Sequence, residues 1–190
     1  MLILSETREA PQATTPDFGA IELLIALDAD AWQSLYQRYF RKMYSYAFVR
    51  TGDADLAEEI AAEVFAAAIK GIRRYRPTGA PLAAWLYRIA RNLTADQLER
   101  RRKYPSAPLE TMVAEVASGA TQIEDRADLA RAIAGLTREQ QEIIALRFFA
   151  DCSVSEAAEA LGKTTGTVKS LQHRALATLR RQMAARGRER

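Results

Sequence analysis

The sequence predicts an all-α protein made of two small helical domains joined by a flexible linker, the second of them a helix-turn-helix domain. Three observations support this class. Apolar residues recur at three- and four-residue spacing in several segments, as they do on one face of a helix. No stretch shows the sustained two-residue alternation of a strand. The 6 prolines fall in three clusters, and none interrupts a helical pattern.

The length of 190 residues, with 48% apolar and 27% charged residues, fits one or two packed domains rather than a disordered chain. Between residues 104 and 122, proline, serine and glycine occur with few large apolar residues, which is typical of a linker. We therefore expect an N-terminal tail, a first domain, this linker, a second domain and a basic tail, over residues 1–19, 20–103, 104–122, 123–185 and 186–190.

In the first domain, helices are expected over about 30–49, 53–71 and 81–103. Asp53 can cap the second of these helices, and Pro81 suits the first turn of the third. Trp85 heads the apolar stripe of the third helix, so we place it in the core in preference to a base-stacking surface.

In the second domain, helices are expected over about 123–134, 137–149, 153–161 and 164–184. The short helix that ends at Gly162 is followed by a longer one that carries Val168 and Leu171 on its apolar face. A short helix, a glycine turn and a second helix with an outward polar face form the helix-turn-helix pattern. A plain helical hairpin gives similar spacing and remains an alternative on this evidence alone.

The charge distribution points to a polyanionic partner, although the net charge is only +3. Two basic blocks, at 70–103 and 163–190, suggest two contacts on one nucleic acid. An acidic stretch at 52–68 contains no basic residue; it is either a solvated helix face or a docking surface for a basic partner.

No active site can be assembled from the sequence. The single cysteine, Cys152, and the single histidine, His173, exclude a cysteine zinc cluster and a paired-histidine metal site. We expect no catalytic residue, metal, cofactor or small-molecule substrate, and hence no enzyme. The apolar stretches are too short to span a membrane and the N-terminus lacks a secretory signal, which predicts a reduced, soluble protein of the cytoplasm.

Five segments carry a family resemblance. Residues 52–65 and 84–92 resemble the promoter-melting domain of bacterial extracytoplasmic-function (ECF) sigma factors of the sigma-70 family. Residues 136–147, 156–162 and 166–170 resemble their C-terminal helix-turn-helix domain. The segments occur in the family's order, with its linker between them. The resemblance implies that residues 20–103 are sigma region 2 and that residues 123–185 are sigma region 4.

The resemblance also implies three contact surfaces. The docking surface for the largest subunits of RNA polymerase would comprise Asp55, Glu58, Glu59, Glu63 and Phe65. The surface that reads and melts the −10 promoter element would comprise Arg73, Arg74, Tyr75, Arg76, Arg88, Arg91 and Asn92. The surface for the −35 element would comprise Thr165, Thr167, Lys169, Ser170, Gln172, His173 and Arg174.

The partners implied are core RNA polymerase, promoter DNA and an anti-sigma factor, which in this family often holds the sigma factor at the inner face of the membrane. Self-inhibition by the acidic N-terminal tail is an alternative to the anti-sigma partner. A conventional helix-turn-helix regulator is the second functional hypothesis, and a nucleic-acid enzyme that uses the acidic helix is a weaker third.

Overall fold

A computed structural model describes residues 18–76, 81–103 and 123–186. These residues form α-helices and no strand, which confirms the predicted class. The helices are α1 (Phe18–Ile25), α2 (Ala29–Thr51), α3 (Ala54–Gly71), α4 (Leu82–Lys103), α5 (Ile123–Ala134), α6 (Arg138–Ile144), α7 (Val154–Leu161) and α8 (Thr165–Arg186). The predicted linker and most of both predicted tails lie outside the described residues.

Side-chain caps and one glycine set the helix boundaries of the first domain. Asp28 accepts a hydrogen bond of 2.8 Å from the backbone N–H of Ala31 and starts α2. Gly52 ends that helix at φ 67°, a left-handed conformation that glycine adopts without steric cost. Asp53 then caps α3 by accepting a hydrogen bond of 2.9 Å from the N–H of Leu56, as the sequence predicts.

The core of the first domain lies between α2, α3 and α4, around the fully buried Met43, Ile60 and Leu86. Helix α1 is not predicted from the sequence. The sequence analysis places residues 18 and 19 in the tail and expects no helix over Phe18–Ile25. Ile21 and Leu24 of α1 are buried in a small separate cluster with Ile72 and Tyr75. Eight residues give too short a pattern for the apolar period to be read with assurance.

In the second domain, α5, α6 and α8 enclose a cluster that includes Ile144 and Ala175. The single helix predicted over 137–149 is interrupted, because α6 ends at Ile144 and a π-helical turn follows over Ala145–Phe149. The wider turn brings the N–H of Ala150 to the carbonyl of Ala145 at 2.9 Å. Gly162, at φ 62°, links α7 to α8 in the helix-turn-helix unit.

The two domains pack against each other. Helix α4 contacts α7, and α2 contacts the π-helical turn. One continuous apolar cluster therefore includes Tyr87 from the first domain and Leu146, Cys152 and Ala157 from the second. The sequence analysis predicts two helical domains joined by a linker, and it does not predict the core that they share.

Candidate polymerase-docking and DNA-binding surfaces

Helix α3 presents an acidic face to solvent. Its apolar side is buried through Leu56, Ile60 and Val64, and this packing leaves the opposite side exposed. The exposed carboxylates are those of Asp55, Glu58, Glu59 and Glu63. No basic residue lies between Gly52 and Ala68, and the one basic residue of α3, Lys70, lies in its last turn. This arrangement suits a basic partner surface.

Phe65 differs from the other predicted docking residues because its side chain is buried. Its ring lies 4.8 Å from the ring of Tyr36 on α2, which is 43% exposed. One turn further along α3, Ile69 is 45% exposed. Tyr36 and Ile69 are thus exposed apolar residues near the acidic face. Sequence reasoning missed them because both fit the apolar spacing of their helices.

The basic loop after α3 is partly described, since residues 77–80 lie outside the described part of the chain. Arg73, Arg74 and Arg76 are exposed. Tyr75 is only 8% exposed, and its ring packs 5.1 Å from that of Trp85. Trp85 belongs to the core periphery, as expected. Tyr75 was predicted to contact DNA, but in this arrangement its ring supports the loop and faces away from solvent.

Helix α4 carries the remaining predicted −10 residues. Arg88 and Asn92 are exposed. Arg91 forms an ion pair with the second domain, because its Nε lies 3.2 Å from Oε1 of Glu142. The predicted −10 surface is therefore brought together on the loop and α4, with one of its arginines already paired.

Helix α8 separates its buried and exposed faces as the sequence predicts. Val168, Leu171 and Ala175 are buried. The exposed predicted residues are Thr165, Thr167, Lys169, Ser170, His173 and Arg174. Gln172 is partly buried, and its amide oxygen accepts a hydrogen bond of 3.0 Å from Nε of Arg147. The exposed donors and cations lie on the helix that follows the turn, where a recognition helix meets the major groove.

Two absences hold for the described ranges alone. Within residues 18–76, 81–103 and 123–186, no group of three or more His, Cys, Asp or Glu side chains could hold a metal ion. None of the helices found there is long and apolar enough to cross a membrane. Cys152 is fully buried, and burial raises the pKa of its thiol, so it acts as a small apolar residue.

Both domains of the chain match models of known protein families. Residues 35–104 match the model of Sigma-70 region 2, and residues 132–181 match that of Sigma-70, region 4. The ECF RNA polymerase sigma factor SigM of Mycobacterium tuberculosis is 31% identical over 157 residues, which cover 83% of this chain and 79% of SigM. The chain belongs to the ECF RNA polymerase sigma factors. The predicted resemblance is therefore confirmed.

Two further ECF relatives complete the comparison. BldN of Streptomyces coelicolor is 35% identical over 172 residues, which cover 85% of this chain and 63% of BldN. The chain thus spans less than two thirds of the length of BldN. The structure of the sigma factor RpoE of Bartonella quintana, solved with the anti-sigma factor NepR, has a TM-score of 0.65 at 23% identity. The match covers 80% of this chain and 96% of the RpoE chain, and this likeness supports the fold.

Proposed function

We propose that this ECF sigma factor binds core RNA polymerase and directs it to promoters that have matched −10 and −35 elements. It performs no chemistry of its own and lends specificity to the polymerase. The observation that carries the proposal is the presence, in one chain, of an exposed acidic face on α3 and an exposed basic recognition face on α8. A conventional regulator with a helix-turn-helix domain needs only the second of these faces.

In this proposal, the acidic face of α3 docks on a basic surface of the largest polymerase subunits. Glu58, Glu59 and Glu63 supply the charge, and Asp55 lies at the start of the same helix. Phe65 acts indirectly, because its buried ring holds Tyr36 at the surface. Charge complementarity of this kind raises the association rate and fixes orientation more than it raises affinity.

The −10 element is held by the basic loop and α4. The exposed guanidinium groups of Arg73, Arg74, Arg76 and Arg88 contact phosphates in this proposal, and the exposed Asn92 hydrogen-bonds a base edge. Melting exposes unpaired bases, which are bound by stacking and by a basic groove. For Tyr75 to stack on a base, the loop has to move its ring away from Trp85.

The −35 element is read by α8 in the major groove. Lys169 and Arg174 suit phosphates and guanine edges, whereas His173 can donate or accept a hydrogen bond. Thr165, Thr167 and Ser170 flank these residues on the exposed side of the helix. Gln172 contributes only after it gives up its bond with Arg147.

An anti-sigma factor is the proposed regulatory partner, and the cytoplasm, including the inner membrane face, is the proposed location. The support is that a structural relative, RpoE, was solved with an anti-sigma factor. The alternative is inhibition by the acidic N-terminal tail. Deletion of residues 1–16 separates the two, because a marked gain in promoter binding by the truncated chain alone favours the tail.

A footprint tests the proposed function. The chain and core polymerase are added, separately and together, to end-labelled genomic fragments, and protection from nuclease is mapped. We expect one protected region that spans both elements, seen only when both components are present. Protection by the chain alone at one short palindromic site would favour the conventional regulator, because dimeric helix-turn-helix proteins bind such sites.

A further inference from the structure

The basic loop after α3 rests on a small apolar cluster of its own. Ile72 is fully buried and Tyr75 is 8% exposed, and both pack with Ile21 and Leu24 of α1. We call these four residues the α1 cluster. The larger cluster between α2, α3 and α4 includes none of the four. Helix α1 therefore supplies two of the four buried side chains that support the loop.

Both ends of the loop meet at the α1 cluster. At its start, the backbone of Gly71 lies so close to the ring of Trp85 that an added Cβ would be 3.3 Å from it. At its end, Leu82 in the first turn of α4 packs against the same cluster, as Trp85 does. A change in the position of α1 would therefore be transmitted to both ends of the loop.

The turn between α1 and α2 gives α1 a defined position. Leu27 has φ 60°, a left-handed conformation that is rare for a bulky side chain. The N–H of Leu27 donates a hydrogen bond of 3.1 Å to the carbonyl of Leu24, and that of Asp28 donates one of 3.0 Å to the carbonyl of Leu23. The indole N–H of Trp32 donates a further bond of 3.0 Å to the carbonyl of Leu24. These three hydrogen bonds hold the turn in its strained conformation.

Hydrogen bonds within the loop transmit this support to its charged side chains. The N–H of Tyr75 donates a bond of 3.0 Å to the carbonyl of Ile72, which closes the short helical turn Ile72–Arg74. A guanidinium nitrogen of Arg76 donates bonds of 3.2 Å to the carbonyls of Arg73 and Tyr75. The loop backbone is thus fixed on its buried side, and its three arginines are exposed on the other side.

We propose that α1 is a positioning element of the −10 surface, in which Ile21 and Leu24 hold the basic loop in the arrangement that captures the melted strand. The inference rests on the proposed function for the role of the loop in promoter opening. Both residues precede residues 35–104, the part that matches Sigma-70 region 2. A loop that is already in place loses little further conformational freedom when it binds unpaired bases. Ile72 keeps its place beneath α1 when the ring of Tyr75 turns toward a base.

Two neighbouring leucines of α1 provide a matched pair of variants. Leu24 is 2% exposed and Leu23 is 50% exposed. Leu24→Ala therefore removes a buried side chain, whereas Leu23→Ala makes the same chemical change on the exposed side of the helix. Both changes have the same effect on intrinsic helix propensity, so a difference between them reports the packing of α1 on the loop.

Trypsin cleavage after Arg73 and Arg74, mapped by mass spectrometry in the full-length chain, measures how often the loop leaves its support. Cleavage of a folded protein follows the population of the locally opened state. We expect cleavage at these two bonds to be about tenfold faster in Leu24→Ala, because a buried leucine loses its packing, and unchanged in Leu23→Ala. Leu24→Met keeps the side-chain volume and should restore the wild-type rate.

Intrinsic fluorescence provides a second readout in the isolated chain. The two tryptophans of the sequence, Trp32 and Trp85, both pack against the α1 cluster. Leu24→Ala should shift their emission to longer wavelength, because water reaches the indole rings. Far-UV circular dichroism should retain most of its helical signal, because the larger cluster does not include Leu24.

A promoter that the chain opens together with core polymerase separates positioning from a general loss of folded protein. In Leu24→Ala, we expect permanganate reactivity of the −10 thymines to fall at least about threefold, with closed-complex formation as in the wild type. A loss of folded protein would lower both by the same factor. Leu23→Ala and Leu24→Met should open the promoter as the wild type does.

Faster cleavage and weaker opening in Leu24→Ala, both restored in Leu24→Met, support the proposal. Wild-type cleavage or wild-type opening in Leu24→Ala would overturn it, as would stronger opening or an equal change in Leu23→Ala. Cleavage and fluorescence need neither polymerase nor DNA. Failure of the proposed function would instead appear as an absence of opening with the wild-type chain, so the two failures are distinguishable.

Discussion

Asp53 and Arg101 join the start of the acidic helix to the end of the basic one. Oδ2 of Asp53 lies 2.6 Å from a terminal guanidinium nitrogen of Arg101, while Oδ1 of the same carboxylate caps α3. One side chain thus fixes the N-terminus of α3 against the last turn of α4. The proposed polymerase-docking and −10 surfaces are held in register by this contact.

Replacement of Asp53 should measure both roles. Asp53→Ala removes the cap and the ion pair, and we expect it to lower the free energy of unfolding by about 1–2 kcal/mol. Asp53→Asn keeps a capping oxygen and should cost about 0.5–1 kcal/mol, because the pair is about one third exposed. Urea unfolding at pH 7 measures both values. Glu99→Gln breaks an exposed pair on α4 and serves as the control, with a change below about 0.5 kcal/mol.

The same carboxyl predicts a pH dependence. Hydrogen bonds from Arg101 and from the N–H of Leu56 hold the pKa of Asp53 below its ordinary value of 3.8. Its contribution to stability is complete above that ordinary value and is lost as the pH falls through the lowered one. The stability difference between the wild type and Asp53→Asn should therefore shrink between pH 7 and pH 3. An equal difference at both pH values would contradict this assignment.

The docking surface should respond to charge reversal. Glu59→Lys with Glu63→Lys is expected to weaken binding to core polymerase at least fivefold, because it replaces attraction with repulsion across the interface. Titration of labelled sigma factor with core polymerase gives the affinity, and circular dichroism confirms the fold. Glu22→Lys with Glu99→Lys changes the net charge equally at exposed positions away from α3 and should have little effect. Equal losses in both double variants would indicate a net-charge effect only.

The −10 surface should act mainly in melting. Alanine at Arg73, Arg74 and Arg76 together, or at Asn92 alone, should impair promoter opening more than closed-complex binding. Capture of unpaired bases matters only after strand separation, at about 1–3 kcal/mol per stacked base. Permanganate reactivity of thymines reports the opening. Arg38→Ala with Arg41→Ala changes two exposed arginines of α2, outside both basic blocks, and serves as the control. Full permanganate reactivity in these variants would contradict a role of the −10 surface in promoter melting.

Two glycines of the helix-turn-helix unit should respond oppositely to alanine. Gly162 has φ 62° with open space around it, so Gly162→Ala should cost about 1 kcal/mol from backbone strain alone. Gly166 lies in the first turn of α8, and an added methyl would meet nothing closer than 3.9 Å. Gly166→Ala should therefore stabilise by up to about 1 kcal/mol through helix propensity. Thermal unfolding of both variants measures the contrast.

The sequence predicts the helices better than it predicts their mutual packing. Local signals explain why the helices are predicted well. Asp53 caps α3 through a hydrogen bond to a residue three positions away, and Gly162 ends α7 in a left-handed turn. The interruption after Ile144 and the docking of Tyr87 on Ala150 depend on contacts between segments far apart in the chain. No local period encodes such contacts. Tyr75 illustrates the same limit, since its burial depends on α1, a helix that the sequence pattern does not reveal.

Run-off transcription with purified core polymerase tests the central claim most directly. Linear genomic fragments are transcribed with and without the full-length chain, and with the Lys169→Ala, Arg174→Ala double variant as a check on −35 recognition. The account predicts discrete transcripts that depend on the chain and fall sharply in the variant. Absence of any chain-dependent transcript across the genome would contradict it.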